Sequence, residues 1–153
     1  MRLDALAHPS RRANLQDAMT SEGDVRSAEN RRLSDWLRAT TPAGASAFVW
    51  GFEPVVYDSS GRRCASKYIY NVAQRLSWSR EASCATLKHD LEADAPEAVA
   101  VEKEDRFQDV TGTTQDSAEA IASCPWFPGW LASGYAREWA SEKFTVFRRA
   151  RIK

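Results

Sequence analysis

Histidine is nearly absent from this chain, and cysteine is rare and scattered. Only His8 and His89 occur, and Cys64, Cys84 and Cys124 show no Cys-x-x-Cys spacing. That excludes the usual structural zinc patterns, which need paired ligands at short separations. No metal ligand and no cofactor is expected. Three is also an odd count, which argues against a pure disulfide scaffold, so the cysteines read as small, half-buried thiols. Glycine is equally sparse. Gly51 alone follows the first apolar segment, whereas a dinucleotide or phosphate-cradling loop wants several glycines there, or Lys-Ser or Lys-Thr behind it. A glycine-rich methyltransferase loop is missing for the same reason, and Gly-x-Ser-x-Gly does not occur. A cysteine nucleophile would want an activating histidine. His89 instead lies in an expected helix beside Asp90, where it reads as exposed, and His8 lies in a loosely patterned start. No catalytic residue emerges.

Neither sign of charge dominates, with 21 Lys and Arg against 21 Asp and Glu. No global field favours nucleic acid, and none is expected as a partner. The longest apolar run, residues 45–50 followed by Gly51 and Phe52, falls far short of the roughly 20 residues of a membrane helix. The opening residues, Met1 to Pro9, turn polar before a secretory apolar core develops. As it stands, the chain is expected in the cytoplasm.

What is present is an ordinary globular composition, 153 residues with 43% hydrophobic and 27% charged. That suits one compact domain, able to bury roughly 70% of its unfolded surface. Residues 1–26 read as a weakly helical or flexible arm, and residues 27–150 as a single α/β domain. Leu33, Trp36 and Leu37 recur at i, i+3 and i+4, an amphipathic helix that Pro42 and Gly44 end. Residues 45–50 are nearly all apolar, the pattern of a strand covered on both faces. Pro54 suits the first turn of a short helix reaching Ser60, with Gly61 as its left-handed terminator. Further strands are expected at 65–70 and 97–102, with a helix over 77–93 between them and a loop over 103–115. Asp116 and Glu119 have capping-box spacing before a short helix to Ser123. Pro125 to Leu131 reads as a turn into a last helix closed by Gly134, and Tyr135 to Arg149 as a hairpin around Ser141-Glu142-Lys143. The element order predicts an α/β, three-layer Rossmann-like domain with a mostly parallel sheet and a C-terminal antiparallel hairpin.

Ligands of open α/β sheets lie outside the carboxyl ends of the strands. Gly51, Phe52 and Glu53 take that place after the first strand, Asn71 after the second, and Lys103, Glu104 and Asp105 after the third. Glu53 and Asn71 are therefore candidate ligand-binding residues, and Arg62 and Arg63 join them as candidates on the expectation that they lie near that end. Carboxylates accept bonds from hydroxyls and arginine chelates phosphate oxygens, a mixture suited to a sugar or phosphate. Each also has a structural reading. Glu53 can cap the short helix, Arg62 and Arg63 can form a solvated turn, and Trp126, Phe127 and Trp130 can pack a tight helix entry.

Residues Val49-Trp50-Gly51-Phe52-Glu53-Pro54, then Tyr57, Gly61-Arg62-Arg63, Ala65-Ser66 and Tyr68-Ile69-Tyr70-Asn71 resemble the carboxyl-terminal soluble domain of bacterial GT-C membrane glycosyltransferases, similar to the dolichyl-phosphate-mannose–protein mannosyltransferase family. Val110-Thr111-Gly112, Asp116-Ser117 and Phe144 to Arg149 extend the likeness. Cys64 stands where proline is expected and Lys67 where arginine is expected. The resemblance implies a parent enzyme that moves sugar from a polyprenyl-phosphate carrier on the extracytoplasmic face, its catalytic carboxylate lying between membrane helices. It further implies that this chain is a soluble accessory domain, non-catalytic alone, partnered by a membrane-embedded glycosyltransferase portion or a lipid-linked sugar, and extracytoplasmic. The alternative is a free-standing cytoplasmic module binding a small ligand or a protein.

Overall fold

A computed structural model describes residues 27–150 as an α/β domain built on one open, five-stranded sheet. The expected arm, residues 1–26, lies outside the described residues. Helix α1 (Ser27–Thr40) precedes β1 (Ser46–Trp50), α2 (Val55–Ser60) and the two-residue β2 (Arg63–Cys64). A single turn, α3 (Val72–Arg75), and the longer α4 (Arg80–Ala93) lead to β3 (Ala98–Glu102). Then come α5 (Gln108–Thr111), a 3-10 turn (Ile121–Ser123), α6 (Phe127–Gly134) and the hairpin β4 (Tyr135–Ala140) and β5 (Phe144–Arg149). Strand order is β2-β1-β3-β5-β4, parallel through the first three and antiparallel across β5 and β4. The mostly parallel sheet and the terminal hairpin match the sequence expectation.

Strands β1 and β3 are buried along their whole length, because their alternate side chains feed two separate cores. Phe48, Trp50, Val99 and Val101 pack with Leu87 and Leu91 of α4 and with Phe127 and Leu131 of α6. Ala47, Val49, Ala98 and Ala100 pack with Leu33 and Leu37 of α1, Val56 and Tyr57 of α2, and Phe144 and Val146 of β5. Small alanines on this second face let α1 sit close to the sheet. The Tyr57 hydroxyl accepts a 2.8 Å bond from the Val49 N–H. Gly61 ends α2 in the left-handed conformation, φ 64°, as expected.

Three local expectations are corrected. The second strand is not residues 65–70 but Arg63–Cys64. Beyond Cys64 the Ser66 hydroxyl donates to Asp90 (2.7 Å) and accepts from the Tyr68 N–H (3.1 Å), a side-chain turn that displaces ladder pairing. The segment 103–115 is not all loop, since it holds α5, which Gly112 terminates at φ 72°. Finally, Cys84 and Cys124 are joined by a disulfide, and only Cys64 is a free thiol among the described residues. The fold brings α4 and the turn before α6 together, a proximity that spacing along the chain does not reveal.

The capping box forms. The Glu119 N–H donates to Asp116 at 2.8 Å, and the Asp116 N–H donates to Glu119 at 2.9 Å. The hydrogen-bonded Arg106 guanidinium draws the Glu119 carboxyl down to about 2. His89, as expected, is exposed. No helix among the described residues is long and apolar enough to cross a membrane.

Candidate functional site

The carboxyl ends of β1 and β3 collect three buried carboxyl groups, Glu53, Glu102 and Asp105, each no more than 4% exposed. The strand pleat places Glu102 on the α1 side with Ala98 and Ala100. There Lys143, from the hairpin turn, forms an ion pair with Glu53 and lies 3.6 Å from Glu102. The turn is held in place by the Lys103 N–H, which donates to the Lys143 carbonyl at 2.7 Å. Asn30 of α1 donates to the other Glu53 oxygen at 2.6 Å. Glu102 in turn accepts from the Phe52 N–H at 2.6 Å. Gly51 makes that approach possible, because a Cβ there would collide with the Glu102 side chain.

The other half of the network sits beneath the capping-box turn. Asp105 accepts from the Ser117 N–H (2.6 Å) and from the Ser117 hydroxyl (2.5 Å). That hydroxyl accepts from the Asn71 amide (2.7 Å) and from the Arg75 guanidinium (3.4 Å). The Ser117 carbonyl accepts from the Trp50 indole at 2.8 Å, tying the turn to β1. Burial, reinforced by the nearby Asp105 charge, pushes the Glu102 carboxyl up to about 8, so it is mostly protonated at neutral pH. Burial likewise raises Asp105 and lowers Arg75. Two basic groups face these acids, Lys143 against Glu53 and Arg75 beside Asp105.

An aromatic cluster adjoins this network. Phe52 lies 4.8 Å from Phe107 and 6.0 Å from Tyr70, centroid to centroid, and the Arg75 guanidinium lies 5.9 Å from the Phe52 ring. Tyr70 is 43% exposed and Phe52 and Phe107 are half-buried, whereas the three carboxyl groups are buried. Asn71, Gln74 and Arg75 follow the i, i+3, i+4 spacing of one helical face around α3. Asn71 Oδ1, Gln74 Oε1 and Arg75 Nε are buried there without a hydrogen-bond partner.

Of the four sequence candidates, Glu53 and Asn71 fall in this region. Glu53 does not cap α2, since its carboxylate is taken by Lys143 and Asn30. Arg62 and Arg63 lie elsewhere, because Arg63 pairs with Ser46 at the amino end of β1. Arg62 donates to the Thr41 hydroxyl and to the Thr41 and Arg38 carbonyls, closing the end of α1. Arg63 pairs with Asp94 at 3.0 Å on the surface. Sequence reasoning missed Asn30, Arg75, Glu102, Ser117 and Lys143 as members. For Asn30 a signal existed, since positions 30, 33 and 37 share the buried face of α1.

The region is polar and buried below, with aromatic rings above it. The carboxyl groups and the side chains of Asn71, Gln74 and Arg75 are all buried, and of the groups above them Tyr70 is the exposed one. Among the described residues no group of three or more His, Cys, Asp or Glu is arranged to hold a metal ion. Comparison of the chain with family models, with curated proteins and with solved structures gives no match in any of the three.

Proposed function

We propose that this chain is a non-catalytic accessory domain, of three-layer Rossmann-like build, serving a glycosyltransferase that uses polyprenyl-phosphate-linked sugars. Its role is to contact the sugar-bearing head group at the carboxyl end of the sheet. The observation that carries this reading is the cluster there: the exposed Tyr70 and the half-buried Phe52 and Phe107 beside carboxyl groups that Lys143, Asn30 and Ser117 already occupy. Aromatic faces pack against the apolar face of a sugar ring, and Tyr70 is exposed to meet one. The residues Val49 to Asn71 that resemble the glycosyltransferase domain are the ones that build most of this surface.

The Cys84–Cys124 bond supports an extracytoplasmic setting, since disulfides persist in oxidising compartments and are rare in the cytosol. It weighs against the alternative of a free-standing cytoplasmic binding module. The test is equilibrium binding of a short-chain prenyl-phosphate hexose to the purified chain, run beside an assay for sugar release. Saturable binding, weakened at least tenfold by Phe52→Ala or Tyr70→Ala, is expected without turnover. Turnover of the donor, or binding indifferent to both substitutions, overturns the proposal.

A further inference from the structure

Five large apolar side chains are exposed among the described residues, and all five lie at the carboxyl end of the sheet. Trp78 is 83% exposed, and Val55, Ile69, Tyr70 and Val110 are between 41% and 50% exposed. Val55 opens α2 directly after β1. The Asn71 N–H donates to the Gly51 carbonyl at 3.2 Å, which sets Ile69 and Tyr70 beside the same strand end. Val110 belongs to α5, and Phe107, at the start of that helix, meets Phe52. Trp78 stands before α4, whose 14 residues make a helix about 21 Å long. The far end of α4 is fixed at the amino end of β1, where the Ser46 hydroxyl donates to Asp94 at 2.9 Å, so Trp78 belongs to the opposite end. The Ser79 hydroxyl donates to the Ala73 carbonyl at 2.7 Å and folds the Trp78 turn back on α3. The amino end carries surface ion pairs instead, Arg63 with Asp94 and Arg149 with Glu97.

We propose that the carboxyl end of the sheet docks on the surface of a phospholipid bilayer, with Trp78, Ile69 and Tyr70 seated among the head groups. Tryptophan and tyrosine concentrate at that depth because each joins an apolar body to a polar tip. The exposed apolar residues project from separate turns and alternate with exposed polar ones: Lys67 flanks Ile69, Ser77 flanks Trp78 and Asp109 flanks Val110. A protein partner would have to bury or pair those charges, and the cores of protein interfaces are depleted of them. A hydrated head-group layer accepts rings and charges together. Both signs of charge are exposed at this end, Lys67 and Arg80 against Glu81 and Asp109. Apolar insertion, rather than attraction to an anionic lipid, therefore carries the binding, and the docking needs no sugar ligand.

The experiment floats the intact chain with vesicles of phosphatidylcholine alone, which carry no sugar, over a series of lipid concentrations. Saturable binding is expected, changing less than about twofold between low and high salt, because screening acts on charges and not on apolar insertion. Trp78→Ser should weaken binding about tenfold and Ile69→Ser by a smaller factor. Both variants should stay folded by circular dichroism, since neither side chain belongs to a core cluster. Arg63→Ser, at the other end of the sheet, should leave binding unchanged. Failure to float, binding indifferent to both apolar substitutions, or binding abolished by salt overturns the docking. Self-association that Trp78→Ser dissolves, without flotation, assigns the face to a protein contact and overturns it as well. Phe52 and Tyr70 are intact in every variant and the vesicles hold no sugar, so each of these failures leaves the sugar-binding reading standing.

Discussion

The two ends of the sheet use the same residue types to opposite effect. At the carboxyl end, Glu53, Glu102 and Asp105 are buried and answered by Lys143, Arg75, Asn30 and Ser117. At the amino end, Arg63 meets Asp94 in a pair whose side chains are 62% and 39% exposed, and Arg62 serves backbone carbonyls at the close of α1. An exposed pair gains little over hydration, whereas a buried one penalises any change that leaves a single charge behind. Sequence reasoning grouped Arg62 and Arg63 with Glu53 because they follow it closely along the chain. In space they are separated by the length of β1, and it is the carboxyl end that carries the exposed Tyr70.

The contrast is broken most severely by Lys143→Met. Removing the ammonium leaves the Glu53 charge buried with one amide donor, and the expected loss is about 3–5 kcal/mol in denaturant unfolding. Gly51→Ala comes next. Its Cβ has no room beside Glu102, and an overpacked position of this kind costs about 1–3 kcal/mol, read as a lower unfolding temperature.

Glu102 sharpens the comparison through pH. Its folded pKa of about 8 lies above the ordinary 4.5, so between those values the folded chain binds more protons than the unfolded one. The stabilisation from protonated Glu102 is therefore complete below 4.5, declines as pH rises, and is gone above about 8. Glu102→Gln, which keeps the shape and a neutral head, should flatten this slope in unfolding measurements from pH 5 to 8. The smallest effect belongs to the amino end. Arg63→Ala should change stability by less than about 1 kcal/mol, and the change should shrink further in salt.

How much of this was legible depends on how far each partner lies along the chain. The strand at 46–50 announced itself by continuous apolar residues, and the Asp116–Glu119 box by a spacing of three, because both are local patterns. Tyr68-Ile69-Tyr70 misled for the same reason: alternation near β-formers looks like a strand, but Ser66 binds Asp90 and turns the backbone away from the ladder. Lys143 carried no signal, since its partner Glu53 is 90 positions earlier. The disulfide was equally hidden, its cysteines lying 40 positions apart without a recognisable framework. Glu53 was placed by a topological rule about strand ends, which works without knowing any partner, whereas Asn71 was placed after an expected strand at 65–70 that the structure replaces with a turn. Arg62 and Arg63 were joined to them as neighbours along the chain, and they precede and begin β2 at the other end of the sheet.

The central claim is that the carboxyl end of the sheet receives a sugar-bearing ligand and does no chemistry on it. Nuclear magnetic resonance titration of the chain with a short-chain prenyl-phosphate hexose tests this most directly. The account predicts saturable shifts centred on Phe52, Tyr70, Asn71, Arg75 and Phe107, with the ligand unchanged after binding. Shifts centred on Arg62 and Arg63, no shifts at ligand saturation of a matched glycosyltransferase, or conversion of the ligand would contradict it.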